Sequence, residues 1–134
     1  IGQNKNKNDE KFIINFINQA INNKDITIYG DGTQTRSLCF VIDLVRGLID
    51  LMNSNFINPI NLGNNTELTI NEIADKIIKL TNSNSKKNYK DLPLDDPKKR
   101  CPDLTLAKKI LKWNPKIELE DGLEKTIKHF KDLI

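Results

Sequence analysis

Apolar residues recur with the period of an α-helix along most of the chain, whereas the segments that could form β-strands are few and short. The helical pattern covers five segments, residues 9–23, 43–52, 69–81, 104–111 and 119–134. Candidate strands lie at residues 25–29, 37–42, 60–62 and 87–92. So few short strands cannot close a sheet of the usual size. The pattern therefore predicts a helix-rich α/β fold with a small amount of sheet.

Two of the predicted helices begin at residues suited to helix capping. Thr69 is followed three residues later by Glu72, which is the spacing of a capping box. Asp43 can accept hydrogen bonds from the first main-chain N–H groups of the helix that follows it. The apolar stripe of that helix is predicted to be buried, and it consists of Leu44, Val45, Leu48, Ile49, Leu51 and Met52.

The segment from Pro59 to Asn64 predicts a short strand, a glycine turn and then a helix. That order is typical of a βα unit in a parallel sheet, where each strand needs a neighbour. The chain offers no evident neighbour for it. The polar N-terminus also lacks an initiator Met and the apolar stretch of a signal peptide. We therefore expect one domain, residues 1–134, that forms part of a longer protein.

Charge and cysteine content exclude several classes of function. The 21 Lys and Arg exceed the 18 Asp and Glu by three, which is too small and scattered an excess to indicate nucleic-acid or membrane-surface binding. Cys39 and Cys101 lie in unlike contexts without a CxxC motif or a partner His, which favours free thiols in a reducing compartment. We therefore expect a cytoplasmic protein with no metal, nucleic-acid or membrane partner.

Arginine is scarce in this chain, so each of its positions is informative. Of the 21 cationic residues only Arg36, Arg46 and Arg100 are Arg. Arg36 ends the segment YGDGTQTR, residues 29–36, in which Gly-Asp-Gly predicts a turn with positive φ. Such a turn exposes main-chain N–H groups, and the guanidinium can pair its donors with phosphate oxygens. A β-turn with an ordinary surface Arg explains the same residues.

Arg100 lies in the segment DDPKKRCPD, residues 95–103, between two prolines that restrict the main chain. A cation held in this way loses less entropy when it binds an anion. The alternative is a solvated charge cluster in which two Asp side chains offset two neighbouring Lys side chains. Arg46 lies within a helix, has no anion-binding context, and is predicted to be a surface residue.

Several segments, taken in order, resemble the C-terminal part of the extended short-chain dehydrogenases that act on nucleotide sugars, the NAD-dependent epimerase/dehydratase family. The similarity covers nearly the whole chain. Within the family, the segments QTRSLCF and DDPKKRCPD look like those of the UDP-glucuronate decarboxylases rather than those of the 4,6-dehydratases. The resemblance rests on IGQNKNKNDEKFIINF, ITIYGDGTQTRSLCFVIDLVRGLIDLM, INLGN and DDPKKRCPDLTLAKKILKWNPKIELEDGL.

The resemblance implies the substrate-binding portion of an extended Rossmann-type enzyme. NAD would be bound by an N-terminal domain that this chain lacks, together with the catalytic Tyr-x-x-x-Lys pair. The implied reaction converts UDP-glucuronate to UDP-xylose through a 4-keto intermediate, in a full-length homodimer, and this fragment alone would be inactive. A dTDP-glucose 4,6-dehydratase, a UDP-sugar 4-epimerase and an inactive stand-alone binding module remain as alternatives.

The resemblance also implies roles for individual residues. The side chains of Thr27 and Tyr29 would flank the uracil and ribose, while Gln34 would reach the diphosphate or ribose. Arg100 would lie near the sugar carboxylate and assist protonation after CO2 leaves, which makes it the candidate catalytic residue. The complete set of implied substrate-binding residues is Lys11, Phe12, Thr27, Tyr29, Gln34, Arg36 and Arg100.

Overall fold

The computed structural model describes residues 12–92 and 97–133, which form the predicted helix-rich α/β fold. The described residues form five helices, α1 (Phe12–Ile21), α2 (Val41–Met52), α3 (Ile70–Thr81), α4 (Thr105–Ile110) and α5 (Leu119–Asp132). They also form five short strands, β1 (Ile26–Tyr29), β2 (Thr35–Arg36), β3 (Leu68–Thr69), β4 (Lys87–Lys90) and β5 (Lys99–Arg100).

The main core lies where α1, α3 and α5 pack against one another and where α1 and α3 contact β1. Apolar residues spaced three or four apart bring one face of each helix into this core, and alternate residues of β1 face the same way. Each fully buried Ile contributes about 1.5–3 kcal/mol relative to an exposed one. The buried residues are Phe16, Ile17, Ala20, Ile26, Ile28, Ile70, Ile73, Ala74, Ile77, Leu123 and Ile127.

Helix α3 has well-defined ends, and its start confirms the predicted capping box. The Thr69 hydroxyl accepts a hydrogen bond from the Glu72 N–H, and the Glu72 carboxylate accepts one from the Thr69 N–H. At the other end, Asn82 adopts the left-handed conformation with φ of 51°, which stops the helix. The chain then turns back to form β4, which pairs in parallel with β1.

Strand β2 is the central strand of a second, three-stranded sheet. It pairs antiparallel with β3 and parallel with β5. The sequence did not predict β5, because its two residues, Lys99 and Arg100, are polar and follow a proline-rich stretch. The consequence of this pairing is that a late segment of the chain lies beside the Gly-Asp-Gly loop.

A second, smaller cluster is formed by Leu104, Ala107 and Trp113, all of them buried. Helix α2 is attached to this cluster through polar contacts. The Trp113 Nε1–H donates to the main-chain carbonyl of Asp43, at 3.0 Å. The Asp43 carboxylate accepts hydrogen bonds from the main-chain N–H groups of Lys116 and Ile117, at 2.9 and 2.8 Å. The polar side of α2 is therefore fixed to the loop between α4 and α5.

Three local predictions are wrong. Asp43 is not the helix cap, because Phe40 precedes α2 and the Asp43 side chain points to the loop that leads into α5. The predicted strand at residues 37–42 gives way to irregular chain and the start of α2 at Val41. Residues 60–62 also lack strand structure. A β-strand exists only with a hydrogen-bonded neighbour, and the described residues supply none at this point.

The predicted burial of the apolar stripe of α2 is also wrong. Leu44 and Leu51 are half-buried, whereas the other four residues of the stripe are exposed by between 46% and 82%. Periodicity predicts that one helix face is apolar, but it cannot predict what covers that face. Across the described residues, the helices are too short or too polar to span a membrane.

Candidate functional site

The loop between β1 and β2 is a tight turn held by its own side chains. Gly30 and Gly32 have φ of 81° and 76°, as predicted for the Gly-Asp-Gly sequence. Between them, the Asp31 carboxylate accepts hydrogen bonds from both the hydroxyl and the N–H of Thr33, at 2.6 and 3.0 Å. These two bonds lower the pKa of Asp31 below its ordinary value. The loop is therefore shaped before any ligand is present.

The loop is seated on the N-terminus of α3 through Asn71. The Asn71 N–H donates to the Gly32 carbonyl at 3.1 Å, and its side-chain amide donates to the Asp31 carbonyl at 3.0 Å. The Tyr89 hydroxyl completes the contact by donating to the Asn71 side-chain oxygen at 2.9 Å. A Cβ atom on Gly32 would lie only 2.3 Å from that oxygen. Glycine is thus favoured at residue 32 by its positive φ, and a larger residue would also displace the Asn71 side chain.

Gln34 is buried and connects the end of β1 to the start of β2. Its side-chain amide donates to the Tyr29 main-chain carbonyl at 2.7 Å. Its own main-chain carbonyl accepts from the N–H of Ile70, at the start of α3. These bonds hold Gln34 in a single position at the base of the loop.

Arg36 is buried, with 6% of its surface exposed. Its Nη1 donates to the carbonyl oxygens of Thr35 and Pro97, at 2.8 and 2.9 Å. Both acceptors are neutral main-chain groups that fix the direction of the guanidinium. An oriented guanidinium presents its donors as a planar fork that suits phosphate and carboxylate oxygens.

Arg100 lies next to Arg36 in the second sheet. The two residues are register partners on the parallel strands β2 and β5, although 63 residues separate them in the chain. Register partners on neighbouring strands project to the same face of the sheet. Arg100 is exposed, whereas Arg36 is buried. The fold therefore brings together the two arginines that the sequence predicts as anion ligands.

An acidic side chain borders this pair. The Glu67 carboxylate accepts from the Thr35 hydroxyl at 2.9 Å and forms an ion pair with Lys99 at 3.2 Å. The hydrogen bond from Thr35 lowers the pKa of Glu67, and Lys99 acts in the same direction. Glu67 thus stays ionised at neutral pH and holds the Lys99 ammonium.

The other predicted ligands have contacts elsewhere. The Thr27 hydroxyl accepts a hydrogen bond from the Gln19 side-chain amide, and the Thr27 N–H donates one to the Gln19 side-chain oxygen. These two bonds connect β1 to α1. The Phe12 ring packs edge-on against Phe16, at the border of the main core. Tyr29 contributes its main-chain carbonyl to Gln34 and is half-buried. Lys11 lies outside the described residues.

The candidate site brings two guanidinium groups, those of Arg36 and Arg100, together on one pair of strands. The Lys99 ammonium is paired with Glu67 and, one residue before Arg100, lies on the other face of the strand. In the described ranges 12–92 and 97–133, no His, Cys, Asp or Glu side chains cluster in a way that could hold a metal ion.

A cavity of about 160 Å³ lies between α1 and the start of α5, and its lining includes Cys39. Burial raises the pKa of that thiol, which keeps it protonated.

A comparison with known protein families places the chain in one of them. The family described as GDP-mannose 4,6 dehydratase matches residues 2–126. The chain belongs to this family. The matched range contains the loop between β1 and β2 as well as both arginines of the candidate site. The resemblance to the epimerase/dehydratase enzymes that the sequence predicts is therefore confirmed.

Several members of the family are similar to the chain over almost its whole length. It is 46% identical over 129 residues to UDP-glucuronic acid decarboxylase 1 of Danio rerio, and 42% identical over 126 residues to UDP-glucuronic acid decarboxylase 4 of Arabidopsis thaliana. These alignments cover 96% and 94% of this chain but 31% and 28% of the relatives. The chain thus spans about a third of the length of these family members.

Solved structures of related enzymes have the same fold. The UDP-glucuronic acid 4-epimerase of Bacillus cereus, in complex with UDP-glucuronic acid and NAD, matches with a TM-score of 0.85 and 30% identity. An epimerase of Methanothermobacter thermautotrophicus matches with a TM-score of 0.88 and 31% identity. The matches cover 91% and 96% of this chain, and 40% and 38% of those chains.

Sequence reasoning missed two contributors to the site. Asn71 carries the contacts that seat the Gly-Asp-Gly loop. In the sequence it is one of 18 Asn residues, and nothing in its neighbourhood marks it out. Pro97 supplies a main-chain acceptor to Arg36, and a main-chain role leaves no signal in the side-chain pattern. The sequence did indicate the site through its arginines: Arg36 and Arg100 are two of only three Arg in the chain.

Proposed function

We propose that this chain is the nucleotide-sugar-binding part of an NAD-dependent enzyme of its family, and that this enzyme is a UDP-glucuronate decarboxylase. Such an enzyme converts UDP-glucuronate to UDP-xylose and CO2 through a 4-keto sugar. The observation that carries the binding role is the register of Arg36 with Arg100. The names of relatives at 42–46% identity support the choice of decarboxylase.

In this proposal the diphosphate lies over the face of β2 and β5 that carries the two arginines. Arg36 is oriented by its carbonyl contacts and loses little freedom on binding, which favours affinity. Gln34 adds a neutral donor if it gives up its bond to the Tyr29 carbonyl. Arg100 is exposed, so a ligand can reach it.

The remaining proposed contacts lie around the nucleoside and the sugar. Thr27 and Tyr29, on β1, are proposed to flank the uracil and ribose, and Lys11 and Phe12 to line the same pocket. Arg100 is further proposed to stand near the sugar carboxylate and to assist protonation once CO2 has left. Since Arg100 is the neighbour of Arg36, an anion-binding role for it has the stronger support.

The residues of this chain do not fit NAD itself. A dinucleotide turn needs three glycines at GxxGxxG or GxGxxG spacing, and no such spacing occurs in the sequence. We therefore assign NAD to a separate domain of the whole enzyme. In the same proposal the whole enzyme is a cytoplasmic homodimer, and the 134-residue chain alone has no decarboxylase turnover.

A 4-epimerase acting on UDP-glucuronate is the second candidate. The Bacillus cereus epimerase has the same fold over 91% of this chain and was solved with UDP-glucuronic acid. Product analysis by the enzyme that contains this chain separates the two reactions. A pentose product with release of CO2 supports the decarboxylase, whereas UDP-galacturonate with no CO2 supports the epimerase.

Calorimetric titration of the 134-residue chain with UDP and with uridine tests the binding role. Replacing Arg100 by Ala removes charge-assisted hydrogen bonds worth about 1.5–3 kcal/mol, so we expect UDP affinity to fall by about 10–150-fold. Uridine, which has no phosphate, should bind equally well to both proteins. Lys109→Ala, an exposed cation on α4, is the matched control and should leave UDP affinity unchanged. An Arg100→Ala chain that binds UDP as tightly as the wild type would refute the assignment.

A further inference from the structure

The second sheet carries different side chains on its two faces. Arg36 and Arg100 are register partners on β2 and β5, so they share the face on which the anion is proposed to lie. Thr35 and Lys99 are the preceding register pair. Because side chains alternate along a strand, these two lie on the opposite face, which we call the back face of the sheet.

On the back face, one carboxylate contacts side chains from both of the other strands. Glu67 directly precedes β3 and accepts a hydrogen bond from the Thr35 hydroxyl on β2, at 2.9 Å. The same carboxylate forms an ion pair with the Lys99 ammonium on β5, at 3.2 Å. A single side chain of Glu67 therefore links all three strands of this sheet.

Strand β5 is very short, which makes such a link important. It has two residues, whereas strands usually have about three to ten, so few main-chain bonds hold it against β2. The Thr35 N–H donates to the Lys98 carbonyl at 2.8 Å, and Arg36 Nη1 donates to the Pro97 carbonyl at 2.9 Å. Both acceptors precede β5. The ion pair from Lys99 to Glu67 extends the attachment into the strand itself, one residue before Arg100.

We propose that Glu67 is a positioning residue of the anion site, which holds β5 in register with β2 so that Arg100 lies beside Arg36. This inference rests on the proposed function and deepens it, because it concerns the same two arginines. A carboxylate close to an anion site lowers the positive potential that attracts phosphate. The position of Glu67 is therefore explained by its contacts to the strands and not by its charge.

The two effects of Glu67 predict opposite results for its removal. If its negative charge were all that mattered, Glu67→Ala would bind UDP more tightly. If Glu67 positions Arg100, the variant binds UDP more weakly, and we expect a loss of about 3–10-fold by calorimetric titration of the 134-residue chain. Uridine affinity should stay the same. UDP affinity that is unchanged or higher in Glu67→Ala would overturn the proposal.

A double substitution separates positioning from a general loss of structure. If Glu67 acts through Arg100, then Glu67→Ala should change UDP affinity by less than about twofold once Arg100→Ala is present. Full losses that add in the double variant would contradict the proposal. Glu124→Ala, which removes an exposed acid on α5, is the matched control and should leave UDP affinity unchanged.

Amide hydrogen exchange tests the attachment of β5 without any ligand. The Thr35 N–H is protected by its bond to the Lys98 carbonyl. We expect it to exchange about 3–10-fold faster in Glu67→Ala and also in Lys99→Met, which retains the bond between Thr35 and Glu67. The Gly122 N–H, bonded to the Glu118 carbonyl in α5, is the internal control and should keep its rate.

The exchange rates and the titration have separable outcomes. An unchanged Thr35 rate in both variants would overturn the proposal, whatever the UDP affinities are. If the wild-type chain binds no UDP, the proposed function fails, and the Thr35 rate still decides whether Glu67 holds β5 against β2.

Discussion

The indole N–H of Trp113 donates a 3.0 Å hydrogen bond to the main-chain carbonyl of Asp43, and both side chains are almost fully buried. The two residues are 70 positions apart in the sequence. Their contact joins α2 to the loop between α4 and α5, and the Asp43 carboxylate strengthens the same junction. We therefore expect this junction to be sensitive to single substitutions.

Asp43→Ala is expected to lower the free energy of unfolding by about 2–4 kcal/mol. The substitution leaves the N–H groups of Lys116 and Ile117 without their acceptor and removes the carboxylate partner of Arg46. Urea denaturation followed by Trp113 fluorescence measures the change. Asp50→Ala, on the same helix, is the control and should cost less than about 0.5 kcal/mol. An equal loss of unfolding free energy in both variants would show that the contacts of Asp43 add no more stability than those of Asp50.

Acid should weaken the same junction. Burial on its own raises the pKa of Asp43, but hydrogen bonds from the Ile117 N–H, the Arg46 guanidinium and the Lys116 N–H outweigh it and lower the pKa. The folded-state pKa therefore lies below the unfolded value of about 3.9. The carboxylate stabilises the fold above that pH, and its contribution is lost as the pH falls through the lowered pKa.

We therefore expect the difference in unfolding free energy between the wild type and Asp43→Ala to shrink as the pH falls from about 5 to about 2. Urea denaturation at a series of pH values provides the measurement. A difference that stays constant over this range would mean that the ionised carboxylate is not the stabilising species.

Gly32→Ala is expected to disturb the loop between β1 and β2. The residue has φ of 76°, and the new methyl group would meet the Asn71 side chain. Positive φ at a non-glycine residue costs about 1–3 kcal/mol, and the loop must also move away from α3. We expect lower stability and weaker UDP binding by calorimetry. Gly63→Ala is the comparison: Gly63 has no positive φ, so this variant adds only the tight 3.1 Å approach of the new Cβ to Pro102 Cγ and should lose less stability.

Thr69→Ala removes the cap of α3 and should cost about 0.5–2 kcal/mol of stability. The hydroxyl accepts from the Glu72 N–H at 3.1 Å, and the substitution leaves this donor exposed without its partner. Thr69→Ser retains the hydroxyl and should stay within a few tenths of a kcal/mol of the wild type. If the Ser and Ala variants are equally destabilised, the methyl group rather than the cap is responsible.

Patterns within short stretches of the sequence predicted several helices and one turn. Apolar periodicity located α1, α3 and α5, and the Thr69–Glu72 spacing located the start of α3. The Gly-Asp-Gly turn was predicted because only glycine adopts positive φ without cost. These features depend on residues fewer than about five positions apart, so a single sequence contains them.

Contacts between distant segments were not predictable in the same way. Arg46 was expected at the surface, but it bonds the Asp43 carboxylate and lies 5.6 Å over the Trp113 ring. Trp113 bonds the main-chain carbonyl of Asp43, 70 positions earlier, and no local pattern indicates that contact. The register of Arg36 with Arg100 depends on the two-residue strand β5, which has no pattern of its own. Such contacts are decided by the packing of the whole chain.

The bonds from Lys116 and Ile117 to Asp43 also set an order of events during synthesis. Because translation runs from the N-terminus, α2 leaves the ribosome about 70 residues before the N–H groups that donate to its Asp43 carboxylate. Closing so long a loop carries an entropic cost that nothing within α2 offsets. We therefore expect α2 to remain undocked on a nascent chain that ends before residue 113, so the segment that carries Lys116 and Ile117 determines when this helix takes its place.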